Sequence, residues 1–430
     1  MESRSYAHHF SEHNIPFGVA SSERHPLPRP ATRLGNTVFF LEALYRQGFF
    51  EGVTNLPYDV LDQPNLSQLA ALPRPVLRAL RQRIQDEFKQ NGLAAVLEEA
   101  KEDMDDVKLH LPVAIGDFSD FSCSLEHVKN AGRVIFNDGR PPPAFFNFPI
   151  GYQGRASSIV VSGTDIERPL GQFRNPKPAA ADAGADVKPV IYGPSQKMDY
   201  ELELAAIIGK PLPMKQRLKA TRADEHIFGF ALLNDWSARD IQGFEMTPLG
   251  PFNGKSVGTT MSPWIVTLEA LEPFKVMGQP QSPVPAYLED LNRTTYSIRM
   301  QAEIVVEGKA TVMCVSRVQS MYWTTRQMVA HAVSSGSSLR TGDVLATGTV
   351  SGPGEGALGC LLEVTRGGSA PVRLSCGGSR AFLEDGDTVR LTATAGDESS
   401  GVGFGECTGR VVPSQPFDDC NGTGPECGRL

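Results

Sequence analysis

The sequence lacks the marks of a disulfide scaffold, a thiolate metal site, a membrane protein or a nucleic-acid binder. Its seven cysteines are an odd number and include no C-x-x-C pair, so neither a disulfide framework nor a zinc site is indicated. Thiols in a reducing compartment are the simplest account. No apolar run approaches the ~20 residues of a membrane span, and residues 1–11 are too polar for a signal peptide. Net charge is only −8, with 41 basic and 49 acidic residues mixed along the chain, which argues against a nucleic-acid surface. These absences predict a cytoplasmic protein with no nucleic-acid or membrane partner.

What is present is a globular composition, 40% hydrophobic and 21% charged, in which 42 Gly and 32 Pro punctuate many short alternating segments. That pattern reads as strand-rich. A chain of 430 residues exceeds one ordinary core, so two domains are expected.

Residues 226–264, HIFGFALLNDWSARDIQGFEMTPLGPFNGKSVGTTMSPW, are the most informative stretch. The first eight are apolar on both faces, as in a strand buried on both sides. Asp235, Arg239, Asp240, Gln242 and Lys255 then follow among Gly and Pro, placing strong charges on loops at the end of a rigid strand. Such crowding suits either a salt-bridged corner or a chemical site. In MDYELEL (residues 198–204) acids alternate with apolar residues. On a strand, Glu201 and Glu203 would share one face, and two parallel carboxylates repel unless they face water or hold a cation.

Elsewhere, residues 74–90 carry an apolar helical face closed by Gly92, and Thr324 can cap a helix over residues 324–334. Residues 296–306 and 316–321 read as strands. Residues 360–365 alternate as a strand would, with Leu361, Glu363 and Thr365 on one face. His127 lies on a short helix closed by Gly132. Residues 172–188, rich in Pro, Ala and Gly, read as a surface loop, either a lid or an inert insertion. His8, His9 and His13 read as part of a disordered tail.

NDWSARDIQ, PLGPFNGKS and GTTMSPW resemble the central segment of fumarylacetoacetases, metal-dependent hydrolases that cut a carbon–carbon bond in a 1,3-diketo acid. IGDFSDF, GYQGRASSIVVSGT, MDYELELAAIIG, SMYWTTRQM, GDVLATGTVSG and DGDTVRL extend the resemblance over residues 14–412. It implies a mixed, mainly β fold: a small β-barrel-like N-terminal domain with helical additions (residues 1–111), a mixed-β roll (residues 112–415) and a peripheral tail (residues 416–430). It also implies a homodimer.

By the same resemblance, Asp120, Glu201, Glu203 and Asp235 hold a divalent ion, with Lys255 and Thr259 beside it; Asp117 is the rival to Asp120. Four carboxylates with no sulfur or imidazole suit Ca²⁺ or Mg²⁺ and not Zn²⁺. His127 matches the general base and Glu363 the carboxylate that orients it. Arg239, Gln242 and Lys255 match residues that stabilise developing charge, and Tyr152 and Thr349 match positions beside the substrate. Where fumarylacetoacetases grip the substrate's carboxylates with two Tyr and an Arg, this chain has Ser122, Met246 and Phe136. The expected activity is hydrolysis of fumarylacetoacetate type on an altered small-molecule diketo acid. The alternatives are decarboxylation, hydration or isomerisation with the same metal chemistry, or a non-catalytic metal-binding relative.

Overall fold

The computed structural model describes residues 6–92, 96, 98–176 and 189–415. The tail reading for residues 416–430 and most of the loop reading for residues 172–188 lie outside the described residues. Gln172, Phe173 and Arg174 are not loop. They end the strand Leu170–Arg174, which pairs antiparallel with Val190–Pro194, because alternation buries Phe173 and leaves its neighbours in water.

The fold is mainly β. Near the N-terminus five antiparallel strands run in the order Lys101–Asp103, Thr37–Phe40, Arg29–Leu34, Phe17–Ser21, Lys108–Leu109. The helix Arg74–Asn91 packs there through Leu80, Ile84 and Phe88, and Gly92 follows at φ +57°. His9 is buried, and its Nδ1 accepts from the Gly405 amide. The segment carrying His8, His9 and His13 is therefore packed and not a disordered tail.

An eight-stranded mixed sheet positions the chemistry. Its key elements, in chain order, are β1 (Phe118–Ser122), helix α1 (Leu125–Phe136), β2 (Leu202–Ile208), β3 (Ile227–Asp235), helix α2 (Arg239–Glu245), β4 (Thr259–Met261), β5 (Val344–Ala346) and helix α3 (Leu361–Val364). Across the sheet Ile150–Gln153 pairs with β1, then come β5, β2, β3, β4 and Ile159–Val161. Helix α1 runs through Gly132 to a left-handed Asn137, so Gly132 does not close it. Residues 360–365 are not a strand: two carboxylate-accepted amides, Leu361 and Leu362 on Asp199, start α3 there instead. Ser316 and Arg317 end a strand, but a 3₁₀ turn follows at Val318–Ser320. Thr324 and Gln327 form the capping box of helix Thr325–Ala332.

The pairing register settles which side chains share a face. Tyr152 pairs with Asp120, Asp120 with Ala346, and Ala346 with Ala205; Glu203 pairs with Leu233, and Asp235 with Thr259. Directly paired residues, and residues two apart on a strand, point the same way. Tyr152, Asp120, Glu203, Asp235 and Thr259 therefore lie on one face, clustered toward one end. Ala205, Ile207, Ala231, Leu233, Val344 and Ala346 continue that face into the apolar cluster of the N-terminal strands. The opposite face, with Leu202, Leu204, Phe230 and Leu232, belongs to a second core shared with the sheet of Ile298–Val306 and Thr388–Ala395.

Candidate active site

At the polar end of that face the backbone is held close. Gly348, just after β5, has φ +72°, and a Cβ there would lie 1.8 Å from the Phe121 carbonyl oxygen. Only glycine fits such an approach, and it keeps the chain leaving β5 against β1. Thr349 follows, buried, with its Oγ1 unpartnered.

Asp120, Glu201, Glu203 and Asp235 converge: one carboxylate oxygen from each lies within 4.8 Å of the others, and all four residues are buried. Glu201 stands one residue before β2, its amide donating to Asn234 Oδ1 at 3.0 Å. Its parity with Glu203 persists beyond the strand end. Asp117, the rival, lies outside the group and pairs with Arg340 at 2.6 Å.

The electrostatics of the four are unequal. Burial, then the neighbouring carboxylates, push Asp120 and Glu203 well above the usual carboxylate range. Burial would raise Glu201 too, but Lys255 and Arg239 hold it below that range. Lys255 Nζ contacts Glu201 and lies 2.6 Å from Asp235. Tyr152 donates its hydroxyl to Asp235 at 2.7 Å and Thr259 donates at 3.2 Å. Asp120 Oδ1 and both Glu203 oxygens have no hydrogen-bond partner. Buried acceptors left without donors are costly, and an all-oxygen set is the coordination a hard divalent ion takes.

Beside this group, His127 Nδ1 lies 2.8 Å from Glu363 Oε2. The carboxyl of Glu363 is fully buried; burial opposes its ionisation, but the His127 ring, Asn130 and Ser351 hold it below its ordinary range. Asn130 donates to Oε1 at 3.0 Å, Ser351 to Oε2 at 2.7 Å, and the Cys360 thiol lies 3.2 Å away. An ionised carboxylate only accepts, so the imidazole proton sits on Nδ1 and Nε2 is left as the basic atom. His127, Cys360 and Glu363 also stand close enough to hold an ion, but the hydrogen bonds already engaging Glu363 make this a dyad with its supports.

Arg239, at the start of α2, donates to Asp199 at 2.8 Å and to Gln242 at 3.1 Å. Its Nη2 lies 2.9 Å from Glu201 Oε1 without the alignment of a hydrogen bond. Arg239 and Glu363 border a cleft of about 1150 Å³ that Asn130, Arg133, Lys197 and Arg366 also line. The three departures sit differently. Ser122 is half-buried at the end of β1, Met246 half-buried just after α2, and Phe136 is 66% exposed at the end of α1. None of the three borders the cleft.

Sequence reasoning assigned no role to Asp199, Asn130, Ser351 or Arg133. Asp199 ties Arg239 to the start of α3, and its parity with Glu201 and Glu203 in MDYELEL was the available signal. Asn130 lies three residues past His127, on the same helical face. Because Asn130 helps to hold Glu363, and through it the His127 ring, Asn130→Ala should lower kcat about tenfold while KM stays near native. Steady-state kinetics and a melting curve check this; a fall in the midpoint without a change in kcat would make Asn130 merely structural.

Two family models match the chain: the fumarylacetoacetase N-terminal model over residues 13–112 and the fumarylacetoacetate hydrolase C-terminal model over residues 117–412. The fumarylacetoacetase of Arabidopsis thaliana is 41% identical over 420 residues, covering 95% of this chain and 97% of that protein. That of Oryza sativa subsp. japonica is 41% identical over 422 residues, covering 95% and 96%. That of Homo sapiens is 38% identical over 420 residues, covering 94% and 96%.

Proposed function

This chain belongs to the fumarylacetoacetase family, and from that premise we propose that it hydrolyses a carbon–carbon bond in a 1,3-diketo acid with the help of Mg²⁺ or Ca²⁺. The observation that carries the proposal is the dyad of His127 and buried Glu363 standing beside four converging carboxylates. A metal-binding relative without catalysis needs no such base.

The unpartnered oxygens of Asp120 and Glu203 fit a bound cation, which Glu201 and Asp235 would help to hold. When bound, a hard divalent ion supplies Lewis acidity to a dicarbonyl. His127, fixed through Nδ1, takes a proton from water at Nε2, and the hydroxide adds to a carbonyl carbon. Lys255 keeps one of its three N–H donors after Glu201 and Asp235 are served, and with Arg239 and Gln242 it meets the negative charge that develops. The carbon–carbon bond then breaks, the proton taken from water returns to the leaving carbon, and one water and one diketo acid have become two products. A product assay on a panel of diketo acids, with and without EDTA, tests the reading; metal-independent turnover would overturn it.

The proposal extends to substrate. Fumarylacetoacetate is the family's substrate, but Ser122 is shorter than Tyr, Met246 has no O–H to donate, and Phe136 carries no charge and is exposed to water. Each such hydrogen bond is worth about 1.5–3 kcal/mol, so Ser122→Tyr should raise kcat/KM for fumarylacetoacetate by roughly tenfold or more. A native value already at or above about 10⁴ M⁻¹s⁻¹, with no gain from Ser122→Tyr, would sink the idea of an altered substrate. The cytoplasmic homodimer is part of the same reading. No described helix is long and apolar enough to cross a membrane, and exposed Leu249 and Phe252 offer apolar surface for self-association.

A further inference from the structure

Beyond Arg239 the cleft opens into a second chamber of about 640 Å³, which shares Lys197, Arg239, Gly243 and Gly367 with it. The two spaces differ in chemistry. Asn130, Arg133, Glu363 and Arg366 border the cleft, whereas Phe173, Phe244, Phe382, Ala381 and Pro176 line the chamber, with Arg174, Gln196 and Asp240 as its own polar groups. The three rings come from separate places: the hairpin strand Leu170–Arg174, helix α2, and the segment after Ser379–Arg380. Their convergence is a property of the fold and not of one local run.

Two cations hold ring faces at the chamber. Arg174 Cζ lies 5.4 Å from the Phe244 centroid, and Lys197 Nζ lies 5.6 Å from that of Phe382. At those distances the attraction orients the rings. A Cβ placed on Gly243, which both spaces share, would meet nothing within 4 Å. Lys197 also borders both and is exposed, with no carboxylate partner among the described residues. A concave, mostly apolar space with a few convergent polar groups is the usual form of a small-molecule subsite.

Fumarylacetoacetate ends in a carboxylate on both sides, and burying either against the apolar lining of the chamber costs its hydration. An acid with one charged end and one apolar end divides naturally between the two spaces. Arg239 borders both, and its Nη2 is 2.9 Å from Glu201, so it is the residue that links the carboxylate cluster to the two spaces.

We propose that the chamber is the subsite for an apolar, ring-bearing acyl substituent of the diketo acid, whose carboxylate stays in the cleft beside Arg133 and Lys197. This rests on the diketo-acid reading above, and binding is measured apart from turnover so that the two fail separately. Benzoylpyruvate and acetylpyruvate share the diketo acid and differ only in phenyl against methyl. Their affinities are measured by calorimetry in Mg²⁺ buffer on His127→Ala, which holds them uncleaved, and turnover is followed on the native enzyme. Benzoylpyruvate should bind at least about tenfold more tightly. That ratio should fall toward one when Ala381→Trp fills the chamber and when Phe244→Ala removes an exposed wall; Phe244→Ala carries the test if the filled variant does not fold. A ratio near one at the outset, or one unmoved by either change, overturns the subsite. Selective binding without cleavage of either acid leaves the subsite standing and removes the hydrolase reading. Cleavage of both with a flat ratio does the reverse.

Discussion

Replacing His127 by Ala is expected to lower kcat by roughly 10²–10⁴-fold, the usual contribution of a positioned general base, while Mg²⁺ affinity and the melting temperature stay near native. The expectation follows from where the ring stands. His127 is on α1, held by one hydrogen bond to Glu363, and the carboxylate cluster is complete without it. Removing the ring leaves Glu363 with Asn130 and Ser351 still donating to it, so no buried charge is stranded and folding should survive. Single-turnover kinetics together with calorimetric titration of Mg²⁺ decide the matter. Loss of metal along with activity would instead identify His127 as a ligand, with Cys360 and Glu363 as its partners.

The parts of the site that were legible in the sequence are those governed by local parity. Glu201 and Glu203 sit two apart, and strand geometry alone sends both to one side; the register later adds Asp120 and Asp235 to that side. The strand over residues 226–233 was readable because it is buried on both faces, and it runs on as Ile227–Asp235, with Asp235 as its last residue and not a loop residue. What parity could not reach was the state of a short segment whose structure is imposed from elsewhere. Residues 360–365 alternate like a strand, but Asp199, some 160 positions away in the chain, accepts the Leu361 and Leu362 amides and turns the segment into α3. Glu363 reaches His127 from that helix. Likewise nothing local distinguishes Phe136, which ends α1 in water, from Arg133, which borders the cleft one turn earlier. Only the direction of the helix axis separates them. Phe136, the position where the resemblance was carried by alignment without a motif, therefore stands outside the cleft lining.

Glu203→Gln is expected to abolish metal-dependent activity and yet leave the metal-free protein at least as stable as the native one. Glu203 is completely buried, and neither of its carboxylate oxygens has a hydrogen-bond partner. Burial and the charges of Asp120, Glu201 and Asp235 push its carboxyl well above the usual range, so without a cation the residue is an acid held in its neutral form or a costly ion. An unsatisfied buried polar group costs about 1–3 kcal/mol. Glutamine has nearly the same shape and cannot ionise, so it removes the charge cost and leaves β2 packed as before. The metal-loaded states should separate in the opposite sense. A ligand that binds only the folded protein stabilises it by about 2.7 kcal/mol at a hundred times its Kd, and Gln offers a weaker, neutral oxygen to a hard cation. Native protein should therefore gain several degrees in melting temperature between EDTA and saturating Mg²⁺ or Ca²⁺, while Glu203→Gln gains little or nothing. The two melting curves in EDTA should nearly coincide, or the variant's should lie higher. If Glu203→Gln melts well below native in EDTA, the carboxylate is satisfied by the protein itself and is a structural residue. If both proteins respond equally to the cation, the ion is held somewhere other than at these four carboxylates.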